Sequence, residues 1–398
     1  MNNRLPGILF ISQDASLTGA PIFLLRFLQW FREHTNVPFH VLIGRWGKLF
    51  PDFECLGPVD LFEPRPTLAR RILRRLTGIK PNNSNHLSLL RQKLSESNIG
   101  VIYSNTIVNG HILDFLSFLR CPVICHVHEL EYAISNIGAE NFDLVRKYTS
   151  SYIAVSRAVK RNLVENRGIL DRDVDVIHGF IPIGVTPGDV AKSPTDVRKE
   201  LGIAAESKLV CACGSIEPRK GTDLFLQVAR RVVGTYNIAP VHFLWVGGDL
   251  KQVRAMRKEA KSLSLQSVVH FVGHKSDVES YYNASDLFLL PSREDPFPLV
   301  MLEAAWRGKA IVCFDNAGGA PEFVGHDAGF VVPAFDVEEM SDRVVTLLSS
   351  NDLRGRMGTI AQQRVANQHD LSEGAAKIAR LIDDKLFTTF ENQQKVRS

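Results

Sequence analysis

Short apolar runs separated by longer amphipathic stretches are the feature that most limits what this chain can fold into. Such runs include GILFIS from Gly7, SYIAVS from Ser151, KLVCACG from Lys208 and AIVCF from Ala310. Each has the length of a strand buried on both faces, and most are followed by a segment with helical periodicity. This alternation is typical of α/β proteins with parallel sheets, so we predict a βαβ chain.

The alternation pauses once, at the proline- and glycine-containing stretch 181–203, and then resumes. A chain of 398 residues is also too long for one ordinary core. We predict two Rossmann-like domains, residues 1–185 and 186–370, followed by a C-terminal helix and polar tail at 371–398. Packing of this tail on the N-terminal domain is one arrangement to consider. Because ligands of such sheets bind at the carboxyl ends of strands, we expect the site in a central cleft between facing domains.

Composition narrows the class of protein. The 45% hydrophobic and 23% charged fractions are those of a soluble globular protein. A formal charge of +4 is too small to indicate nucleic-acid binding, and six scattered cysteines without a CxxC pair indicate reduced thiols. Neither a secretory signal nor a run near the ~18 apolar residues of a membrane span is recognisable. We expect a cytoplasmic protein.

The segment CGSIEPRKGTDLFLQVA predicts an anion site. A buried strand ends at Cys213, a turn follows, and a helix begins near Thr222. Arg219 and Lys220 therefore stand just before a helix N-terminus, where free amides and the helix dipole favour phosphate. The alternative is that both are solvated residues of a surface turn.

The segment EDPFPLVMLEAAWRGK places Glu303 within an apolar helix. We predict that Asp295 caps this helix and that Gly308 ends it. A spacing of about two turns would put both carboxylates on one side, where they would accept hydrogen bonds from sugar or ribose hydroxyls. The alternative is a structural salt bridge from Glu303 to Arg307 or Arg293.

Two further segments end in loops at the expected ligand edge. ICHVHELE puts His126 and His128 on one face of a strand, which permits a metal site. A neutral His128 that bonds to a substrate hydroxyl is favoured, because no further cluster of His or Cys accompanies the pair. LTGAP places Gly19 after the first strand, where the backbone can approach a ligand.

Together these segments resemble the retaining glycosyltransferases of family 4, which have the GT-B architecture of two Rossmann-like domains. The resemblance covers nearly the whole chain, from TGAP and HVHE through GSIEPRKGTDLFLQVA to EDPFPLVMLEA and GGAPEFV. It implies transfer of a sugar from a nucleoside-diphosphate sugar to a hydroxyl of a saccharide or lipid-linked acceptor, with retention. It also implies a role in polysaccharide, lipopolysaccharide or other glycoconjugate biosynthesis, with no metal and no further cofactor.

The resemblance implies a role for each matched residue. Glu303 would bind ribose hydroxyls, and Asp295 would hold a sugar hydroxyl and the positive charge that develops at the anomeric carbon. Lys220 would neutralise the diphosphate, and Gly19 would lie beneath it. His128 would contact the transferred sugar near the reacting carbon. The implied catalytic residues are thus His128, Asp295 and Lys220.

The chain departs from the family pattern at three places. Asp295 replaces a glutamate, Ser215 replaces an arginine in the phosphate loop, and Pro296-Phe297-Pro298 replaces Gly-Phe-Gly. Ser215 remains a donor-binding candidate, but Arg219 would have to supply the second positive charge. Proline lacks an N–H. The backbone donors that remain are those of Phe297, Leu299 and Val300.

Residues 66–80 predict an amphipathic helix with a basic face. Leu68, Ile72, Leu73 and Leu76 share one side, opposite four arginines. We predict peripheral contact with an anionic membrane surface, at the inner face of the membrane, suited to a lipid-linked acceptor. The alternative is a solvated basic face.

Other functions on the same fold stay open. Sugar-nucleotide epimerases and phosphorylases share it, and a non-catalytic nucleotide-sugar-binding protein would accommodate the departures at Ser215 and Pro298. An NAD-dependent oxidoreductase is disfavoured because no GxGxxG follows a strand.

Overall fold

A computed structural model describes residues 6–65, 83–184 and 192–397, with side chains through Thr388. The chain forms two compact units. The first contains the chain up to Val155, Val159–Ile177 and the segment from Leu371, and the second contains Ser156–Ala158 and His178–Asp370. The basic helix expected at 66–80 lies outside the described residues and stays a prediction.

The first unit is built on a seven-stranded sheet with the order β3-β2-β1-β4-β5-β6-β7, and all of its strand pairs are parallel. The strands are β1 Gly7–Asp14, β2 Phe39–Arg45, β3 Val59–Leu61, β4 Ile99–Ser104, β5 Val123–Val127, β6 Ser151–Ala154 and β7 Val174–Val176. The central residues of β1, β2, β4, β5 and β6 are buried and mostly apolar, so these five strands match apolar runs of the sequence. The short edge strands β3 and β7 have an aspartate at their centre and match no such run. The order reverses between β1 and β4, which is where sheets of this kind bind ligands.

Helices follow most of these strands. They are α1 Gly19–His34, α2 Phe50–Glu54, α3 Ser84–Glu96, α4 Gly110–Leu116, α5 Glu131–Asn136, α6 Ala139–Tyr148 and α7 Arg157–Arg161, with α16 Leu371–Arg397 at the end of the chain. In α1, aromatic residues at helical spacing face the sheet: Phe27 and Phe31 pack edge-on against Phe10 of β1. The C-terminal helix α16 contacts α1 and β4 within this unit.

The second unit has a six-stranded parallel sheet with the order β10-β9-β8-β11-β12-β13. The strands are β8 Lys208–Cys213, β9 Val241–Val246, β10 Val269–Gly273, β11 Leu287–Leu290, β12 Ile311–Phe314 and β13 Gly329–Val332. Here the order reverses between β8 and β11. The prediction of two parallel-sheet α/β domains is confirmed.

The helices of the second unit complete its βα repeats. They are α8 Pro194–Leu201, α9 Thr222–Thr235, α10 Leu250–Ser262, α11 Glu279–Ala284, α12 Leu299–Trp306, α13 Ala320–Val324, α14 Val337–Ser349 and α15 Asn351–Gln368. In the described part of the chain, no helix has both the length and the apolar character needed to cross a membrane.

Candidate functional site

The loop after β8 has the geometry predicted for an anion site. A short 3₁₀ helix, Pro218–Lys220, ends at Gly221, and α9 begins at Thr222 as the sequence indicates. Gly221 has φ +71°, and a Cβ there would lie 2.0 Å from the carbonyl oxygen of Pro291. Only glycine fits this turn, which sets Lys220 immediately before the N-terminus of α9.

Lys220 and Asp295 form a buried ion pair. The Nζ of Lys220 lies 2.5 Å from Oδ2 of Asp295, and the two side chains are only 13% and 7% exposed. The Asp295 amide donates to the carbonyl of Ala317, 2.7 Å away, which fixes the carboxylate-bearing residue at the carboxyl ends of the strands. The structure thus brings together two of the three residues predicted to be catalytic.

Arg219 lies in the same loop, and its guanidinium has partners. It contacts the Glu217 carboxylate at 3.0 Å and the Glu294 carbonyl at 3.4 Å. Burial raises the pKa of Glu217, but a hydrogen bond from Ser215 and the charge of Arg219 outweigh burial and lower that pKa overall. Ser215 lies two residues before Glu217 in this loop, at the position where a second arginine was expected.

A second connection ties this loop to the segment before α12. The guanidinium of Arg293 makes two hydrogen bonds to Asp223, of 2.7 and 2.6 Å, and a third to the carbonyl of Pro218. The amides of Arg293 and Glu294 both donate to the carbonyl of Arg219. These bonds fix the two loops that bear Lys220 and Asp295 relative to each other.

The prediction that Asp295 caps α12 is wrong. The helix begins at Leu299 with Pro298 as its N-cap. A residue that precedes proline is disfavoured in the helical region, and Pro298 itself has an extended backbone with φ −72° and ψ 112°, so the helix begins only after it. Asp295 instead forms an isolated parallel β-bridge to Gly318, in the turn between β12 and α13. The expected stop is confirmed, because Gly308 has φ +70° and follows the last turn.

Glu303 is a half-buried carboxylate on α12. The hydroxyl of Tyr282 lies 3.5 Å from Oε2 of Glu303. Burial raises the pKa of Cys213, the last residue of β8, to about 12, and the Glu303 charge adds to this shift. The two arginines considered as salt-bridge partners have other carboxylates, since Arg307 pairs with Glu279 and Arg293 with Asp223.

We call residues 295–300 the donor loop, after the nucleotide-sugar donor that the resemblance implies. This segment also carries the backbone amides predicted to donate hydrogen bonds. Leu299 and Val300 are the first residues of α12, and first-turn amides have no acceptor within their own helix. The amide of Phe297 precedes them, while its side chain is buried against His178 and His369. The donor loop therefore carries the Asp295 carboxylate and these amides on one short segment.

In the first unit, His128 is connected to the start of α1. Its Nε2 donates to Oδ1 of Asn105 at 3.2 Å, and Nδ2 of Asn105 donates to the carbonyl of Ala20 at 2.7 Å. Burial lowers the pKa of His128 to about 3, so the ring is neutral at physiological pH. Gly19 is the first residue of α1, and nothing lies within 4 Å of the position its Cβ would occupy.

Beneath His128, the structure shows a carboxylate that sequence reasoning left without a role. Glu129 accepts hydrogen bonds from the Thr106 hydroxyl and from the amides of Ile107 and His128. Burial raises the pKa of Glu129 to about 7. The other histidine, His126, is fully buried, with Nδ1 2.6 Å from the Tyr103 hydroxyl. The described residues contain no group of three or more side chains suited to a metal ion.

The two parallel sheets and their strand orders define the GT-B class of α/β fold. The family profile of the Glycosyltransferase Family 4 matches residues 18–184, and that of the Glycosyl transferases group 1 matches residues 194–364. The chain belongs to the family 4 glycosyltransferases of the GT-B fold.

Curated relatives agree with this placement. A D-inositol 3-phosphate glycosyltransferase of Corynebacterium urealyticum is 28% identical over 235 residues, which are 53% of this chain and 55% of the relative. The lipopolysaccharide core biosynthesis glycosyltransferase LpsE of Rhizobium meliloti is 26% identical over 200 residues, 50% of this chain and 54% of LpsE. The chain thus spans about half the length of these relatives.

Among solved structures, Anabaena Alr3699/HepE in complex with UDP and glucose has a TM-score of 0.78. It is 22% identical, and the match covers 95% of this chain and 99% of that one. This likeness shows the fold.

Proposed function

We propose that the protein transfers a glycosyl unit from a nucleoside-diphosphate sugar to an acceptor hydroxyl, with retention of anomeric configuration. The observation that carries this proposal is the buried Lys220–Asp295 pair, which connects a phosphate-type loop to the donor loop. A cation for the leaving diphosphate and an anion for the sugar lie 2.5 Å apart, and Glu303 follows on α12.

Each charge has a task in this reaction. Lys220, together with the N-terminus of α9, stabilises the negative charge on the departing diphosphate. Asp295 then turns from Lys220 to a sugar hydroxyl and to the positive charge at the anomeric carbon. Glu303 accepts hydrogen bonds from the ribose diol. Because these groups supply the charge compensation, the proposed reaction uses no metal and no further cofactor, and activity should survive EDTA.

The first unit contributes neutral groups. His128 is uncharged and holds one ring proton, so it can bond to a hydroxyl of the transferred sugar without repelling a developing cation. Gly19 opens α1 with free space around it, which allows the diphosphate to approach the backbone.

The names of similar proteins suggest the substrates to test first. HepE was solved with UDP, and the relatives are named for inositol phosphate and for lipopolysaccharide core. We propose a UDP-sugar donor and a saccharide or lipid-linked glycoconjugate acceptor, with the reaction in the cytoplasm at the inner membrane face. The basic segment 66–80 remains the candidate for peripheral membrane contact.

Nucleotide binding and hydrolysis test this proposal. Thermal shifts with UDP, GDP, ADP and NAD should show stabilisation by one nucleoside diphosphate, about 2.7 kcal/mol at 100 times its dissociation constant. Glu303→Ala should remove that shift. Glu259→Ala, on the exposed side of α10, is the matched control and should keep it. Proton NMR of slow donor hydrolysis should show the retained anomer first, whereas the inverted anomer or a response to NAD alone would refute the proposal.

One observation favours a second candidate, a nucleotide-sugar-binding protein without turnover. The guanidinium of Arg219 is occupied by Glu217 and the Glu294 carbonyl, so Lys220 would have to compensate the diphosphate without it. Donor binding with neither hydrolysis nor transfer would favour this candidate over the enzyme.

A further inference from the structure

A cluster of charged and aromatic side chains behind the donor loop has no role in the reaction described above. His178 and His369 pack against the side chain of Phe297, Glu322 contacts His178, and all four residues belong to the second unit. Their contacts determine where the donor loop lies.

Phe297 is enclosed on several sides. Its ring centroid lies 5.2 Å from that of His178 and 5.4 Å from that of His369, with which it is stacked. A Cβ at Gly179 would lie 2.8 Å from Cδ1 of Phe297, and one at Gly319 would lie 2.5 Å from its Cδ2. The backbone on both sides approaches the ring so closely that only hydrogen fits there.

The two imidazoles are themselves fixed. His369 is 5% exposed, and its Nδ1 lies 2.9 Å from the carbonyl oxygen of Gly179. The Nε2 of His178 lies 2.8 Å from Oε2 of Glu322. Each ring is therefore oriented by a polar contact at its edge, while His369 stacks on Phe297 and His178 packs against it at a tilt of 45°.

Glu322 is held in turn by the backbone. Its carboxylate accepts hydrogen bonds from the amides of Arg157 and Ala158, at 2.9 and 2.8 Å, at the start of α7. Burial raises the pKa of Glu322, but the bonds from His178 and the two amides outweigh burial and lower it. The carboxylate is thus a fixed charged acceptor for His178.

We propose that His178 and Glu322 are positioning residues for donor binding, and that they act through the side chain of Phe297. Glu322 orients His178, His178 packs on Phe297, and Phe297 holds the donor loop two residues from Asp295 and two from the start of α12. A binding site loses affinity when its supporting side chains no longer hold it within about 0.5 Å of the geometry that binds the ligand. The consequence for nucleotide sugars rests on the proposed function, whereas the position of the loop does not.

The experiment has two arms. Hydrogen exchange measures the amides of the donor loop in wild type and His178→Ala, with β8 as the internal reference. We expect exchange in the loop to become on the order of tenfold faster in the variant, with β8 unchanged. Calorimetry measures the dissociation constant of UDP, which should rise about tenfold. Glu322→Gln is the second variant and should act in the same direction.

A matched control and a double-mutant cycle make the test specific. His270→Gln replaces another half-buried histidine, on the edge strand β10, and should change neither readout. In a Phe297→Ala background, His178→Ala should have no further effect, because residues that act in series are not additive.

The outcomes separate the two proposals. Unchanged exchange in the donor loop of both cluster variants, or full additivity with Phe297→Ala, would overturn the inference. If exchange responds as expected but wild type binds none of the nucleoside diphosphates tested, the proposed function fails and the positioning of the loop by His178 and Glu322 stands.

Discussion

Replacing Asp295 with asparagine tests how the Lys220–Asp295 pair works. In the structure the charge of the Lys220 ammonium is already balanced by the Asp295 carboxylate. In the proposed reaction, a diphosphate therefore has to take the place of that carboxylate. Asparagine keeps the size of the side chain and one acceptor oxygen, but it removes the competing charge. The substitution should therefore weaken the fold and strengthen the binding of a free nucleoside diphosphate.

The burial of the Lys220–Asp295 pair determines how much the substitution should change the stability of the fold and the affinity for UDP. Removing one partner of a buried ion pair costs about 3–5 kcal/mol, and the remaining acceptor of asparagine puts Asp295→Asn near 3 kcal/mol. For a unit of roughly 200 residues this lowers the melting temperature by about 6–12 °C. Without competition from the carboxylate, we expect the dissociation constant of UDP to fall about tenfold, which is about 1.4 kcal/mol.

Thermal unfolding with and without UDP measures both effects at once. At a UDP concentration 100 times the wild-type dissociation constant, wild type gains about 2.7 kcal/mol and the variant about 4.1 kcal/mol. Asp327→Asn is the matched control. It removes an aspartate that pairs with Arg364 at 2.6 Å but is 52% exposed, so it should cost under about 1 kcal/mol and leave UDP binding unchanged.

One result would refute this reasoning directly. If Asp295→Asn is destabilised as expected but gains no more from UDP than wild type does, Lys220 does not receive the diphosphate. The pair would then be structural, and the catalytic assignments of both residues would fall together.

Three further predictions concern other parts of the chain. Glu303→Gln should narrow the difference in calorimetric affinity between UDP and 2′-deoxy-UDP, and an unchanged preference would mean that Glu303 does not contact ribose. Gly319→Ala should cost about 1–3 kcal/mol in chemical denaturation because its Cβ would lie 2.5 Å from Phe297, whereas Gly234→Ala, in open space on α9, should stabilise by about 0.5–1 kcal/mol. Glu129 has its pKa raised by burial to about 7, so between the unfolded value near 4.5 and pH 7 the native state retains a proton that the unfolded chain has lost, and stability falls as pH rises. Glu129→Gln should remove this decline, and an identical pH profile of unfolding in variant and wild type would contradict the shift.

The fold was predictable because its signals are local. Most strands of both sheets coincide with an apolar run, and parallel pairing follows from the helices between them. The turn before α9 was also predictable from the sequence, since proline, glycine and an acidic first turn lie within a few residues of Thr222. The order of the strands within each sheet was not predictable in this way, because a single apolar run does not specify which strands lie beside it.

At the start of α12, two local sequence rules predict different first residues for the helix. Asp295 followed by proline is a good capping signal, and it predicted a helix from that point. The second proline, Pro298, disfavours helical geometry at Phe297 and is itself the extended N-cap, so the helix begins at Leu299. The spacing of eight residues between Asp295 and Glu303 is real, but only the part from Leu299 to Glu303 is helical, so it does not correspond to two turns of helix.

The polar contacts of the site were not predictable because they join residues distant in sequence. Glu322 accepts a hydrogen bond from the start of α7, which lies 165 positions away in the sequence. Thr106 donates a hydrogen bond to Glu129, which lies 23 positions away. No periodicity or spacing marks such pairs, since both partners are ordinary loop or helix-end residues in the sequence. Folding of the parallel sheets brings them together.

The charges at the phosphate loop follow one physical requirement. A buried ammonium without a partner is costly, and so is a buried carboxylate. Lys220 and Asp295 avoid both costs by pairing with each other, and Arg293 and Arg219 pair with Asp223 and Glu217. Under the proposed function, a diphosphate exchanges with Asp295, because it replaces one negative partner of Lys220 by another. The carboxylate released in that exchange then needs a new positive partner, and the developing charge at the anomeric carbon provides it. In the proposed reaction, the same pair that stabilises the resting protein thus links donor binding to stabilisation of the transition state.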